Sequence, residues 1–118
     1  MAPSALLQVF RNLTTNALQA MPRGGTIRLT TRSDPGRSVV EVVVSDTGPG
    51  LAAEVRAHLF EPFFTTKSGG TGLGLAIARE IALAHRGELR AANRAEHAGA
   101  VFTLTLPIAA LRTQGEPR

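Results

Sequence analysis

Apolar residues recur at intervals of three and four from Leu6 through Val9 and Leu13 to Ala17, the spacing of a helix that buries one stripe. The pattern predicts a helix over Ser4–Ala20, with Ser4 as its N-terminal cap and Pro22, Gly24 and Gly25 ending it. Gln8, Asn12 and Asn16 follow one another every fourth residue and so line a separate, polar edge of that helix. Thr26–Arg32 switches to alternation, Ile27 and Leu29 against Thr26, Arg28 and Thr30, which predicts a half-buried strand. Asp34-Pro35-Gly36 reads as a turn. The run Val39, Val40, Val42, Val43 and Val44 within Ser38–Ser45 reads as a central strand that completes a hairpin.

From Asp46 to Gly72 periodicity is lost, apart from a short helix over Ala52–Leu59; a loop this long in so small a domain is functional or mobile. Thr71–His85 reads as a second long helix with Leu73, Ile77, Ile81 and Ala84 on its buried face, stopped at Arg86-Gly87. Two further strands are predicted, Glu88–Asn93 and Ala100–Leu106. In the second, Val101, Thr103 and Thr105 alternate with Phe102, Leu104 and Leu106, and Pro107 ends it. Residues 109–118 read as a frayed tail. The order helix, hairpin, long loop, helix, strand pair predicts an α+β domain over residues 1–108: a two-layer α/β sandwich with helices on one face of a mixed, mostly antiparallel sheet.

Composition narrows the chemistry. The 118 residues suit one domain, and with 43% hydrophobic but only 4% aromatic residues the core is built mainly from Leu, Ile, Val and Ala. The absence of Cys excludes disulfides, thiolate zinc sites and thiol nucleophiles, and His58, His85 and His97 show no ligand spacing. No apolar run reaches the roughly 18–20 residues that span a bilayer, and no signal peptide is visible, so the expected location is cytoplasmic without membrane contact. The net charge of +4 comes from dispersed Arg residues without interleaved aromatics, which favours a generally basic surface over a nucleic-acid groove. The single Lys, Lys67, lies in a Gly-rich region, a placement that fits a phosphate ligand.

Four clusters carry candidate chemistry. Asn12 and Asn16, one turn apart, offer neutral amide oxygens to a hard cation such as Mg²⁺, although Asn residues also bond locally. Asp46-Thr47-Gly48-Pro49-Gly50 puts a carboxylate at a strand end, able to accept from an exocyclic amine such as adenine N6, with glycines that let backbone approach a flat ring; an ordinary turn has the same composition. Phe60-Glu61-Pro62-Phe63-Phe64-Thr65-Thr66-Lys67 gathers three of the five Phe residues in a loop, which suits aromatic anchors of a movable lid from which Lys67 reaches a terminal phosphate. Gly69-Gly70-Thr71-Gly72-Leu73-Gly74-Leu75 opens a helix with Gly-freed N–H groups, an anion site or, equally, a flexible loop. It lacks the Gly-Lys-Ser/Thr of a Walker loop and the spacing of a dinucleotide fingerprint.

Taken in order, these clusters resemble the catalytic domain of sensor histidine kinases, within the superfamily shared with DNA gyrase, the heat-shock chaperone ATPases and the mismatch-repair ATPases. QVFRNLTTNALQAMP is similar to the N box, DTGPG to the first glycine box, FEPFFTTK to the phenylalanine box, GGTGLGLAIAREI to the second glycine box and GAVFTLTLP to the closing strand. EPFFTTK followed by GTGLGL is similar to the nitrogen-regulation type. The resemblance implies the Bergerat ATP-binding fold with a long ATP lid, and the cofactors ATP and Mg²⁺.

It further implies roles residue by residue. Asn16 coordinates Mg²⁺, and Asn12 sits beside the phosphates. Asp46 recognises adenine N6 in a pocket shaped by Gly48 and Gly50, and Thr103 helps Asp46 hold a water there. Gly70, Gly72 and Gly74 wrap the triphosphate, with Thr71, Leu73 and Leu75 in the same turn. Phe60, Thr66 and Lys67 belong to the lid, Lys67 neutralising charge. Asn12, Asn16 and Lys67 are the catalytic candidates. Bare ATPases of the superfamily have a Glu where this chain has Asn12; an amide is no general base, which favours a kinase over an ATPase or ATP-driven switch. The implied partners are a helical dimerisation and phosphoacceptor domain, which the chain does not contain, and through it a response regulator. The fragment alone is expected to be a monomer. The strand that precedes the N-box helix in the family is also not found, and HRGE stands where two glycines are usual.

Overall fold

The computed structural model describes residues 3–64 and 72–111, and in it the apolar stripe of the first helix comes down on a four-stranded sheet. The elements are α1 (Pro3–Ala20), β1 (Ile27–Asp34), β2 (Val39–Asp46), α2 (Ala53–His58), α3 (Gly74–Ala84), β3 (Glu88–Asn93), β4 (Ala100–Pro107) and the single turn α4 (Ile108–Leu111). Sheet order is β1-β2-β4-β3, and each of the three pairings is antiparallel where a mixed, mostly antiparallel sheet was expected. α1 and α3 lie on one face, giving the α+β sandwich that the element order predicts.

Alternation sorts the strands into an inner and an outer face. Val42 and Val44 of β2, Leu89 of β3 and Phe102, Leu104 and Leu106 of β4 point inward and meet Val9 and Leu13 of α1 and Ala78 and Ala82 of α3. The outer face carries an ion network around Glu41 of β2, which accepts from Arg32 at 2.7 Å and lies 3.8 Å from both Arg37 and Arg90; Arg90 also reaches Glu88 at 3.1 Å. Thr105 lies between Glu41 and Glu88 in the ladder, its buried hydroxyl without a hydrogen-bond partner among the described residues.

Three expectations need correction. β1 meets the core only at its start: Ile27 packs there as expected, but Leu29, further along this edge strand, is 57% exposed. The buried face of α3 is the expected one only in part: Ile81 packs on the core, but the fully buried residues are small. Ala76, Ala78 and Ala82 are buried and Leu75 packs on the core, whereas Ile77 is 38% exposed and Ala84 also faces solvent. Small residues win because α3 lies against α1, and an Ala face lets two helices approach closely. Finally, α3 begins at Gly74 where Thr71 was expected, because Gly72 sits at φ 75°, outside the helical region.

The end of α3 is also specific. Arg86 N–H donates to Leu83 C=O at 3.0 Å and Gly87 N–H to Ala82 C=O at 2.8 Å, with Arg86 at φ 64°. This is the Schellman arrangement with an Arg in the left-handed position that glycine normally fills.

Two measurements test these assignments. Arg86→Gly is expected to stabilise the domain by about 1 kcal/mol in urea unfolding, because it relieves left-handed strain. Ala82→Leu is expected to cost about 1–3 kcal/mol by overpacking the interhelical contact, whereas Ile77→Ala stays within about 0.5 kcal/mol.

Candidate functional site

Asp46, the last residue of β2, continues the inward alternation of Val42 and Val44 and is only 3% exposed. Its Oδ1 accepts from Gly48 N–H at 2.9 Å and from Ala100 N–H at 3.2 Å. A buried carboxylate needs such donors, and here they come from its own turn and from the start of β4. Both bonds end on Oδ1, and Oδ2 takes part in neither. The surroundings leave no room for side chains. A Cβ on Gly48 would lie 3.1 Å from Ala20 C=O, and one on Gly99 would run into Asp46 C=O. On the other side of the loop, Thr47 Oγ1 accepts from Thr26 N–H at 2.9 Å and donates to Met21 Sδ at 3.5 Å.

A second group of residues assembles where α1 meets the start of α3. Asn12 Nδ2 donates to Gly74 C=O at 2.9 Å, bridging residues far apart in sequence, and Asn16 is half-buried one turn further along the same edge. The first N–H groups of α3 have no partner within the helix by construction, so this end suits an anion. Gly74 leaves open space: a Cβ there would lie 4.0 Å from Asn12 Cγ.

The residues that follow α2 are held by ring contacts. The Phe60 ring meets Phe102 edge-on, 6.5 Å between centroids at 87°, and the Arg79 guanidinium lies over it at 5.9 Å. The Phe64 ring lies 5.7 Å from that of His58, whose Nδ1 is 2.6 Å from Glu61 Oε2. Phe63 is 74% exposed and at φ 68°, but its N–H donates to Gly72 C=O at 2.9 Å.

Among the residues singled out from sequence, Asn12, Asn16, Gly72, Leu73 and Gly74 are gathered at the α1–α3 junction, and Asp46, Gly48 and Gly50 form the buried loop after β2. Phe60 and Leu75 are partly buried and pack on the core. Thr103 is not brought to Asp46. It pairs with Val43 and lies on the outer face between inward-pointing Phe102 and Leu104, while Asp46 points inward. Thr66, Lys67, Gly70 and Thr71 lie outside the described residues. The structure adds Met21, Thr47, Asn93 and the Ala100 N–H. Thr47 belongs to the DTGPG cluster, which gave it no role of its own, and Asn93 is an amide at a strand end where strand formers are favoured; Met21 and Ala100 carry no polar signal.

Residues 1–110 match the family model described as histidine kinase-, DNA gyrase B-, and HSP90-like ATPase. The chain is 43% identical over 106 residues to the sensor histidine kinase ZraS of Escherichia coli, a match covering 90% of this chain and 22% of that protein. It is 45% identical over 103 residues to the sensor protein FixL of Bradyrhizobium diazoefficiens, covering 86% and 20%. The chain therefore spans about a fifth of the length of these curated relatives. Among solved structures it is similar to the mycobacterial sensor histidine kinase MprB, with TM-score 0.80, 32% identity and coverage of 91% of this chain and 72% of that one. It is also similar to the catalytic domain of the histidine kinase ThkA, with TM-score 0.77, 38% identity and coverage of 88% and 66%.

The close approach at Asp46 separates two glycines that share a left-handed backbone. Gly99→Ala is expected to cost more than about 2 kcal/mol of unfolding free energy, because its methyl meets a carbonyl. Gly24→Ala meets nothing and is expected to cost only about 1 kcal/mol; equal losses in chemical denaturation would refute the distinction.

Proposed function

The chain belongs to the family of histidine kinase-, DNA gyrase B- and HSP90-like ATPases, and from that premise we propose that it binds Mg-ATP and passes the γ-phosphate to a histidine on a separate helical domain of a sensor kinase. The observation that carries this reading is the bond from Asn12 to Gly74, which sets the amide edge of α1 beside the first turn of α3. Anion-binding N–H groups and metal-binding amide oxygens then face one space.

In this reading Asp46 accepts from adenine N6 through Oδ2, since both of its backbone bonds use Oδ1. Gly48 and Gly50 shape the base pocket, Gly70, Gly72 and Gly74 wrap the phosphates together with Thr71 and Leu73, and Thr66 and Lys67 approach from the loop, Lys67 neutralising charge. Asn16 is the residue to hold Mg²⁺, which supplies charge neutralisation across the phosphates when bound. The donor set fits that ion. Among the described residues there is no cluster of three or more carboxylate, His or Cys ligands, and Mg²⁺ favours one or two protein oxygens plus phosphate oxygens over an all-protein cage.

Kinase chemistry is favoured over hydrolysis by the same Asn12. Its amide donates to Gly74 C=O, as a carboxylate could not, and it has no basicity with which to activate water. The second reading, a slow ATPase acting as a conformational switch, shares the binding site and differs only in where the phosphate goes. A response regulator would receive it downstream in the first case. The nitrogen-regulation subtype rests on the spelling EPFFTTK and GTGLGL alone; ZraS and FixL carry other names. No helix among the described residues is long and apolar enough to cross a membrane, and we place the domain in the cytoplasm.

Calorimetric titration with ATP and Mg²⁺ is the primary check. Asp46→Asn is expected to weaken binding about 10–100-fold, the worth of a hydrogen bond to a charged group. A histidine-bearing helical hairpin supplied in trans with labelled ATP is expected to gain acid-labile phosphate. Brisk steady-state phosphate release without such transfer would favour the switch.

A further inference from the structure

Building on the ATP-binding reading, we propose that Asn93 is a positioning residue for the base end of the site, acting through the peptide of Leu51. Asn93 is the last residue of β3, and its side chain holds both polar groups of one distant residue. Oδ1 accepts from Leu51 N–H at 2.6 Å, and Nδ2 donates to Leu51 C=O at 2.9 Å. A primary amide offers one acceptor and one donor side by side, as a strand neighbour does. The end of β3 thereby captures a residue that belongs to no strand.

Leu51 directly follows Asp46-Thr47-Gly48-Pro49-Gly50, and its side chain packs against the core. The loop is therefore held at its start by Asp46 Oδ1, bonded to Gly48 and Ala100, and at its exit by Asn93. Gly50 lies between them at φ 85°, and a Cβ there would come within 2.8 Å of Asn93 Oδ1. The second glycine of this loop is thus required by the amide clamp as well as by its own backbone. The next residue joins the same frame: Arg94 N–H donates to Gly99 C=O at 2.9 Å, and its guanidinium donates to Ala98 C=O at 3.1 Å. That turn delivers the Ala100 N–H to Asp46. The clamp is exposed, so water competes for it, and its main effect is on the order of the loop. A loop already ordered loses less freedom when it closes on a base.

The test compares wild type, Asn93→Ala and Asn93→Asp by amide hydrogen exchange and by competition titration with ATP and GTP, with thermal unfolding recorded to show that each variant is folded. Leu51 N–H is expected to exchange at least about tenfold faster in Asn93→Ala, while amides of the β2–β4 ladder keep their protection. ATP affinity is expected to fall about tenfold, what an interaction of one hydrogen bond's strength supplies. The preference for ATP over GTP narrows with it, because the loss falls on recognition of the adenine amine; a merely structural weakening would lower both nucleotides alike. Asn93→Asp keeps an acceptor for Leu51 N–H but sets a carboxylate against Leu51 C=O, and is expected to lose as much. Unchanged Leu51 exchange, ATP affinity within about twofold of wild type, or equal losses for the two nucleotides would each overturn the assignment of Asn93 and leave ATP binding intact. A wild-type protein without ATP affinity would instead remove the reading on which it rests.

Discussion

Two helices share one face of one sheet, and the side chains they bury there decide how close they lie. Ala78 and Ala82 of α3 are fully buried in the core that also takes in Val9 and Leu13 of α1. Larger side chains there would push the helices apart, and the bond from Asn12 to Gly74 would open with them. The polar edge of α1 is useful only because an apolar stripe and an Ala face set its distance from the start of α3. Packing therefore comes before chemistry in this domain: the interhelical contact fixes one end of the candidate site.

The other end is set by the sheet. Antiparallel register places the end of β2 beside the start of β4, so the carboxylate of Asp46 meets the Ala100 N–H without a dedicated side chain. The cost of burying that carboxylate is offset by two main-chain donors, and the glycines around it serve close approach. One end of the site is thus built from helix edges and the other from strand ends, with the same inner layer beneath both.

Much of this was legible in the order of residues, for a physical reason. Helical and strand periods are written directly into Leu6, Val9, Leu13 and Ala17 and into Phe102, Leu104 and Leu106, because each of these must face the core. What periodicity does not contain is the identity of the covering layer. Leu29 alternates as a buried strand residue does, yet β1 is an edge strand and the core takes in Ile27 but not Leu29. Ile77 is more apolar than Ala78, but closeness to α1 favours the smaller residue. Thr103 failed for the same kind of reason: its face depends on pairing with Val43, a relation between two strands that neither displays alone. Asn93 and Met21 act across long separations, and local composition does not name the partner of either.

The backbone tie between Phe63 and Gly72 brings the two ends of an intervening stretch to a single point on the surface. Gly72 has no side chain there because a Cβ would collide with the Phe63 main chain. A stretch that leaves and returns at one point transmits little of its own length to the layers beneath, since closing a loop twice as long costs only about 0.6 kcal/mol more. The two layers are therefore largely insulated from the length of chain between those two posts, whatever work that chain does.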